Sequence, residues 1–388
     1  MSLILKINFI KRNILLLFLI VFYSCNDESS ELSPNAEQSK VAFRSCTTIE
    51  PDIARSSTGR VSYKGFYWLP GQTIRIKFLN GDEFLQNKVK QYANQWLQYS
   101  NLKYEWVTSG SAAIKIGFKW NGDVGSWSTI GNDCYTVAQN SPSMNFGWFD
   151  NNTSEEEFSR VVIHEFGHAL GFAHEHQNPT SPIQWNTTAV YDYYALAGWD
   201  KQKVDNNILN KFSPSQVDYT NFDSQSIMLY SFPSSLTLNG YSFPWNTILS
   251  DEDKSSAKTL YPTATTTITN RLVPGEGLKS GYSIRSKNNY YTMSLKSDGN
   301  LEIMSLASGQ IIWRSNRTSV VGTAARAEMQ TDGNFATFKG STLLWSTDTS
   351  GKLGAYISLE NDGNLVLSNY RGQTLWSSKG GKVNSPFL

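Results

Sequence analysis

The alternation of apolar and polar positions divides this chain into an export-like start, an α/β stretch and a strand-rich end. Lys6, Lys11 and Arg12 precede an apolar run from Ile14 to Tyr23, followed by Ser24 and Cys25. A basic segment before an apolar run of about ten residues, too short for a comfortable membrane span, predicts a cleavable signal over 1–24. Residues 25–60 are polar and weakly periodic, and predict a tether or pro-segment. From there Thr73–Phe78 alternates like a half-buried strand, and Phe84, Val89, Tyr92, Ala93, Trp96 and Leu97 keep helical spacing. Residues 103–107, 113–118 and 144–149 read as further strands, with 125–131 as loop and sheet edge. The order predicts an α+β domain over 61–262, a mixed sheet with its helices to one side.

A second helix has a legible start and stop. Ser154 followed by Glu157 predicts a capping box, and Glu155, Glu156 and Glu157 put negative charge at the positive end of the helix dipole. Phe158, Val162, Phe166 and Ala169 share one face, while His164 and His168 lie one turn apart on the other. Gly171 is placed to end the helix with positive φ. Were the helix to continue, His174 would lie about 9 Å beyond His168 along the axis. A turn at Gly171 brings His174 back, so the glycine is part of the same constellation.

Composition concentrates the chemistry there. The chain has only four histidines, and His164, His168 and His174 fall at HExxHxxGxxH spacing. Three imidazoles predict one catalytic Zn2+, because a structural site would close its fourth position with another cysteine or histidine. His176 reads as a packing or hydrogen-bonding residue beside the site. Glu165 stands next to the open position, where a carboxylate can act as general base on a water. The net charge of +1 gives no electrostatic case for nucleic acid. Aromatics at 13% and charged residues at 17% suit an extracytoplasmic, turn-rich protein.

With those residues in view, the chain resembles the metzincin metallopeptidases, and Glu175 directly after the third histidine resembles the astacin family among them. Ser226-Ile227-Met228-Leu229-Tyr230 resembles their Met-turn, and 125–128, 145–148, Asp253-Lys254 and 260–262 are similar to stretches of bacterial astacin-like enzymes. The resemblance implies an endopeptidase acting on extracellular proteins. It implies Met228 as an apolar floor beneath the histidines, and Tyr230 as a second catalytic group that ligates the resting metal or bonds the oxyanion. It implies Glu175 as receiver of a new N-terminus after cleavage within 44–60. Ser24-Cys25 is similar to a bacterial lipoprotein box, which implies lipidation at Cys25. The expectation is an exported bacterial protein, held at the outer membrane or cell surface by that lipid alone or released after processing. Cys46 is a candidate latency ligand for the zinc; a disulfide to Cys134 and a free thiol are the alternatives.

After a Thr-rich linker over 263–270 the pattern changes to short strands and turns. Asp298-Gly299-Asn300, Asp332-Gly333-Asn334 and Asp362-Gly363-Asn364 recur, each followed by a tryptophan, Trp313, Trp345 or Trp376. Residues 271–388 resemble the bulb-type, mannose-binding lectins. That implies an all-β, β-prism-like domain of three internal repeats with glycans as partners. The candidate sugar-binding residues are Gln330, Asp332 and Asn334 of the second repeat, with Asp298, Asn300, Asp362 and Asn364. No repeat keeps the whole QxDxNxVxY signature, and Asp-Gly-Asn also makes good turns. The main expectation is a zinc endopeptidase with a lectin-like module that holds it near glycosylated substrates. The competing one is a carbohydrate-binding surface protein whose peptidase domain is vestigial.

Overall fold

The structure is a computed structural model, and it describes residues 46–49, 62–63, 66–263, 269–315 and 325–382. Cys25 lies outside them, as do residues 1–24. Strands β1 (Cys46–Ile49), β3 (Thr73–Phe78), β4 (Lys103–Trp106), β5 (Ile114–Phe118), β6 (Ser126–Thr129) and β7 (Met144–Phe146) form one sheet in the order β1-β6-β7-β5-β3-β4. All its pairings are parallel except β6 with β7. A strand at β1 departs from the expected featureless tether: its backbone adds to the free edge of β6, from Cys46 beside Ser126 to Ile49 beside Thr129. The short β2 (Ser62–Tyr63) pairs antiparallel with β8 (Val217–Asp218).

Helices α1 (Glu83–Ala93) and α2 (Glu155–Ala169) pack against each other and the sheet. Ile74, Ile76, Ile114 and Ile116 from the strands meet Val89, Trp96, Val162 and Phe166 in one apolar core. Lys115 is fully buried, and its Nζ donates to the carbonyls of Ala113 (3.0 Å), Cys134 (2.7 Å) and Val137 (3.0 Å). Three acceptors replace its lost water. Beyond α2 come α3 (Thr187–Ala195), α4 (Lys201–Val204) and α5 (Asp251–Leu260), joined by long irregular segments.

Among the described residues, the C-terminal part forms three sheets. The first holds β11 (Ser283–Arg285), β12 (Tyr291–Leu295), β13 (Leu301–Ser305) and β14 (Ile311–Arg314). The second joins β10 (Gly277–Lys279) to β15 (Ala325–Met329), β16 (Phe335–Lys339) and β17 (Thr342–Ser346). The third joins β9 (Arg271–Leu272) to β18 (Tyr356–Leu359), β19 (Leu365–Ser368), β20 (Thr374–Ser377) and β21 (Gly381–Lys382). Trp313, Trp345 and Trp376 meet in a triangle with ring centroids 5.5–5.9 Å apart, all edge to face, over a core of Leu, Ile and Met.

This module is seated on the α/β domain. Thr73 donates its backbone N–H to the Pro274 carbonyl (2.8 Å), Arg75 Nη1 donates to Thr331 Oγ1 (3.2 Å), and the Tyr135 and Tyr370 rings lie 4.8 Å apart.

Candidate active site

Helix α2 is fixed at both ends. Ser154 accepts the Glu157 N–H at 3.2 Å, the first half of the predicted capping box. The second half is replaced: the Glu157 carboxylate accepts the Trp148 indole N–H (2.8 Å) and two N–H groups of Arg160 (2.9 and 2.7 Å). At the other end Gly171 takes φ +94°, with its N–H bonded to the His168 carbonyl (2.8 Å) and that of Phe172 to Gly167 (3.0 Å). That is a Schellman stop. The Trp68 indole (2.7 Å to Ala169) and the Tyr261 hydroxyl (2.6 Å to Leu170) satisfy two of the last carbonyls.

The turn delivers His174 to the first two histidines as expected. His168 Nε2 lies 3.1 Å from both His164 Nε2 and His174 Nε2, and all three residues are buried. His164 Nδ1–H donates to the Ile227 carbonyl and His168 Nδ1–H to the Phe172 carbonyl, each at 2.8 Å. Those bonds fix the tautomer at His164 and His168, so both Nε2 lone pairs point to the common centre. Burial, with neighbouring histidines adding at His168 and His174, pushes all three imidazoles toward the neutral form, His164 to about 4. Neutral lone pairs facing one another at this separation repel unless a cation lies between them, so the donor set fits a zinc ion. Among the described residues this triad is the metal-capable cluster of histidine, cysteine and carboxylate groups.

Glu165 is wholly buried next to His164 in the same helix. Tyr230 is buried with its ring 4.3 Å from His174 and 5.8 Å from His164. His176 lies outside the triad: its Nε2 donates to the Asn207 carbonyl (2.8 Å), and its ring stacks 5.1 Å from His174. Met228 lies beneath α2, where a Cβ on Gly167 would come 2.4 Å from its sulfur. Gly167 is thus a site-shaping residue that helical spacing does not reveal.

Two buried carboxylates brace the Met-turn. Asp253 accepts Ser226 Oγ (2.8 Å), the Ile227 N–H (2.8 Å) and the Ser250 N–H (2.9 Å), so it holds the segment whose carbonyl orients His164. Burial still leaves its carboxyl raised to about 6. Glu175 accepts Asn178 Nδ2 (2.8 Å) and the Asp223 N–H (2.9 Å), and burial raises it to about 8. Glu175 and Asp253 line one small cavity with Phe172, Thr220 and Asp223.

Cys134 is a free, buried thiol, so the disulfide alternative for Cys46 is not made; the Cys46 side chain lies outside the described residues. The sugar-binding candidates are engaged in their own turns. Asp298, Asp332 and Asp362 each accept the N–H of the Asn two residues on. Asn300, Asn334 and Asn364 each accept the hydroxyl of Ser315, Thr347 or Ser378, which in turn caps the next strand. Gln330 accepts Asn334 Nδ2 (3.2 Å) and lines a groove along the seam with Thr73 and Glu105.

The model of the matrixin peptidase family matches residues 73–204. The solved structure of myroilysin is 42% identical, covers 53% of this chain and 99% of its own, and superposes with a TM-score of 0.50. Monomeric mannose-binding lectins from Gastrodia elata are 26% identical, cover 30% of this chain and 100% of their own, and give a TM-score of 0.26. A G-type lectin S-receptor-like serine/threonine-protein kinase of Arabidopsis thaliana is 35% identical over 78 residues, and the match spans 9% of its length. The catalytic half thus matches a whole solved metallopeptidase and carries the three converging histidines at its centre: the chain belongs to the metzincin metallopeptidases.

Proposed function

We propose that this protein is an exported, astacin-type zinc endopeptidase. The observation that carries the reading is the convergence of three neutral, buried imidazoles beside a buried glutamate and tyrosine. His164, His168 and His174 would hold the ion, which when bound supplies a Lewis acid for the scissile carbonyl and lowers the pKa of a water. Glu165 takes a proton from the attacking water and returns it to the leaving amine. Tyr230 donates its hydroxyl to the tetrahedral oxyanion. Met228, one residue along from the Ile227 carbonyl that orients His164, keeps the floor apolar.

Two observations support a latent form. Strand β1 occupies the edge of β6 that an extended peptide would otherwise extend. Ser62 pairs with Phe172 and Asp218, beside the cavity that holds Glu175, so cleavage shortly before Ser62 would deliver a new amine toward that carboxylate. A Cys46 thiolate on the zinc and a lipid on Cys25 belong to the same reading. The C-terminal module, a β-prism-like unit of three repeats, would hold the enzyme near glycosylated substrates.

Casein hydrolysis with and without a chelator tests the peptidase. Glu165→Gln should keep one zinc per chain by metal analysis and lose turnover; hydrolysis at the wild-type rate would exclude Glu165 as the base. Zinc bound with no hydrolysis by any processed form would favour the carbohydrate-binding protein with a vestigial peptidase. Glycan-array binding by the whole protein tests the lectin function.

A further inference from the structure

We infer that the groove along the seam is a saccharide site built by both modules together, and that it takes a neutral oligosaccharide. The inference rests on the reading above that the C-terminal module binds glycans.

The groove encloses about 540 Å³, within the range of about 300–1,000 Å³ usual for small-ligand sites. Strand β15 runs along its floor. Ala325, Ala327 and Met329 are buried in the module's core, so the alternation puts Arg326, Glu328 and Gln330 on the outer face. Gly277 stands opposite Glu328 in the neighbouring strand, and a Cβ on it would come 2.4 Å from the Ala327 carbonyl oxygen. No side chain fills the floor there. The facing wall belongs to the peptidase, with Thr73 of β3 and Glu105 of β4. Gly275 lets that wall come close, since a Cβ on it would lie 2.2 Å from Thr73 Oγ1. A site with two peptidase residues in its wall does not belong to the lectin-like sheets alone. Asp332 and Asn334, occupied in their own turn, stand outside its lining.

The polar groups of the groove are fixed but half used. Glu328 Oε1 accepts Arg326 Nε, Gln330 Oε1 accepts Asn334 Nδ2 (3.2 Å), and Thr331 Oγ1 accepts Arg75 Nη1 (3.2 Å). Each keeps a second group for a ligand: the other carboxylate oxygen, the amide Nε2 hydrogens and the hydroxyl hydrogen. The Glu105 carboxylate, 3.8 Å from the same Arg75 guanidinium, adds acceptors from the peptidase side. Side chains already held in place lose little freedom when a ligand binds.

The mixture of groups defines the ligand. Three carboxylates, Glu105, Glu276 and Glu328, line the groove with two cations, Lys279 and Arg326. A basic side chain meets the cations and an acidic one meets the carboxylates, whereas a hydroxyl donates to one and accepts from the other. Strand β15 is paired on both sides, to β10 and β16, so it offers an extended peptide no backbone to add to. A row of sugar hydroxyls satisfies the lining without bringing a charge.

The test is calorimetric titration of the whole protein, carrying Glu165→Gln so that peptides are not consumed. The probes are mannotriose, maltotriose, triacetylchitotriose and any neutral glycan retained on the array, with tetralysine and tetraglutamate as charged peptides. At least one saccharide should bind, and neither peptide should compete with it. Glu105→Ala should weaken that binding by about tenfold or more, the loss of one hydrogen bond to a charged group, and Gln330→Ala by about threefold or more. Circular dichroism melts identify the folded variants, and either variant alone decides the outcome. Saccharide affinity unchanged in the folded variants overturns the inference and leaves the lectin reading standing with its site elsewhere. No saccharide bound in solution or on the array removes both. Binding of tetralysine or tetraglutamate that Glu105→Ala or Gln330→Ala abolishes makes the groove a peptide site and overturns the inference.

Discussion

At the scale of single residues the site depends on groups that touch neither metal nor substrate. Asp253 receives three hydrogen bonds from the Met-turn and the start of α5. Removing it leaves a hydroxyl and two N–H groups without their acceptor and frees the carbonyl that orients His164. We predict that Asp253→Ala costs roughly 3 kcal/mol in urea unfolding. Zinc affinity should weaken by about 10–100-fold in a chelator competition, as for other partners of metal ligands; unaltered affinity would reduce Asp253 to a purely structural role. Cys134 offers a pH test. Burial pushes its thiol from 9.0 up to about 12. Between these values the unfolded chain has released the proton and the folded chain has not. The contribution is therefore whole below pH 9 and is lost as pH rises toward 12. Buried Tyr104, Tyr135 and Tyr261, all raised by burial, act in the same direction at higher pH. Unfolding free energy should fall above about pH 9, and Cys134→Ala should flatten the first part of that fall.

At the scale of elements, α2 is a rigid strut buried over the whole of its last three turns. Its apolar spacing identified one face, but the opposite face is buried too, because the Met-turn closes over the histidines. Gly167 makes that closure possible. Gly167→Ala would drive a methyl into the Met228 sulfur, and overpacking of this kind costs about 1–3 kcal/mol. Denaturant unfolding should show this loss together with reduced zinc content. Full stability and full zinc would mean that the Met-turn shifts without consequence. Strand β1, like α5, is an element that the sequence pattern did not show: its four residues, Cys-Thr-Thr-Ile, carry no alternation, and an exposed neighbouring edge makes them a strand.

At the scale of the whole molecule, the seam joins the peptidase sheet to the lectin-like module through backbone, guanidinium and ring contacts. Tyr135 belongs to the segment that carries Cys134 and the carbonyl held by Lys115, so the seam continues into the catalytic core. Such coupling predicts that the two modules unfold together. Calorimetry should give one transition for the wild type, and Tyr370→Ala, which removes the ring opposite Tyr135, should split it or lower it by several degrees. Two separate transitions in the wild type would show that the seam contributes little.

The sequence by itself determined the histidine triad, the glutamate beside it, the glycine stop and the repeating Asp-Gly-Asn and Trp positions. These are local: helical pitch, dipole ends, positive φ and turn chemistry act within a few residues of one another. Only the tertiary structure decided what Asp253, Gly167 and Lys115 do, since each acts on a partner brought from another element. It also showed the Asp and Asn side chains of the repeats engaged in their own turns, a use that the spacing leaves open. A motif identifies which atoms meet when the chain is close to itself. Which distant surfaces close over them is settled by packing, where burial, shape and unpaired polar groups are balanced all at once.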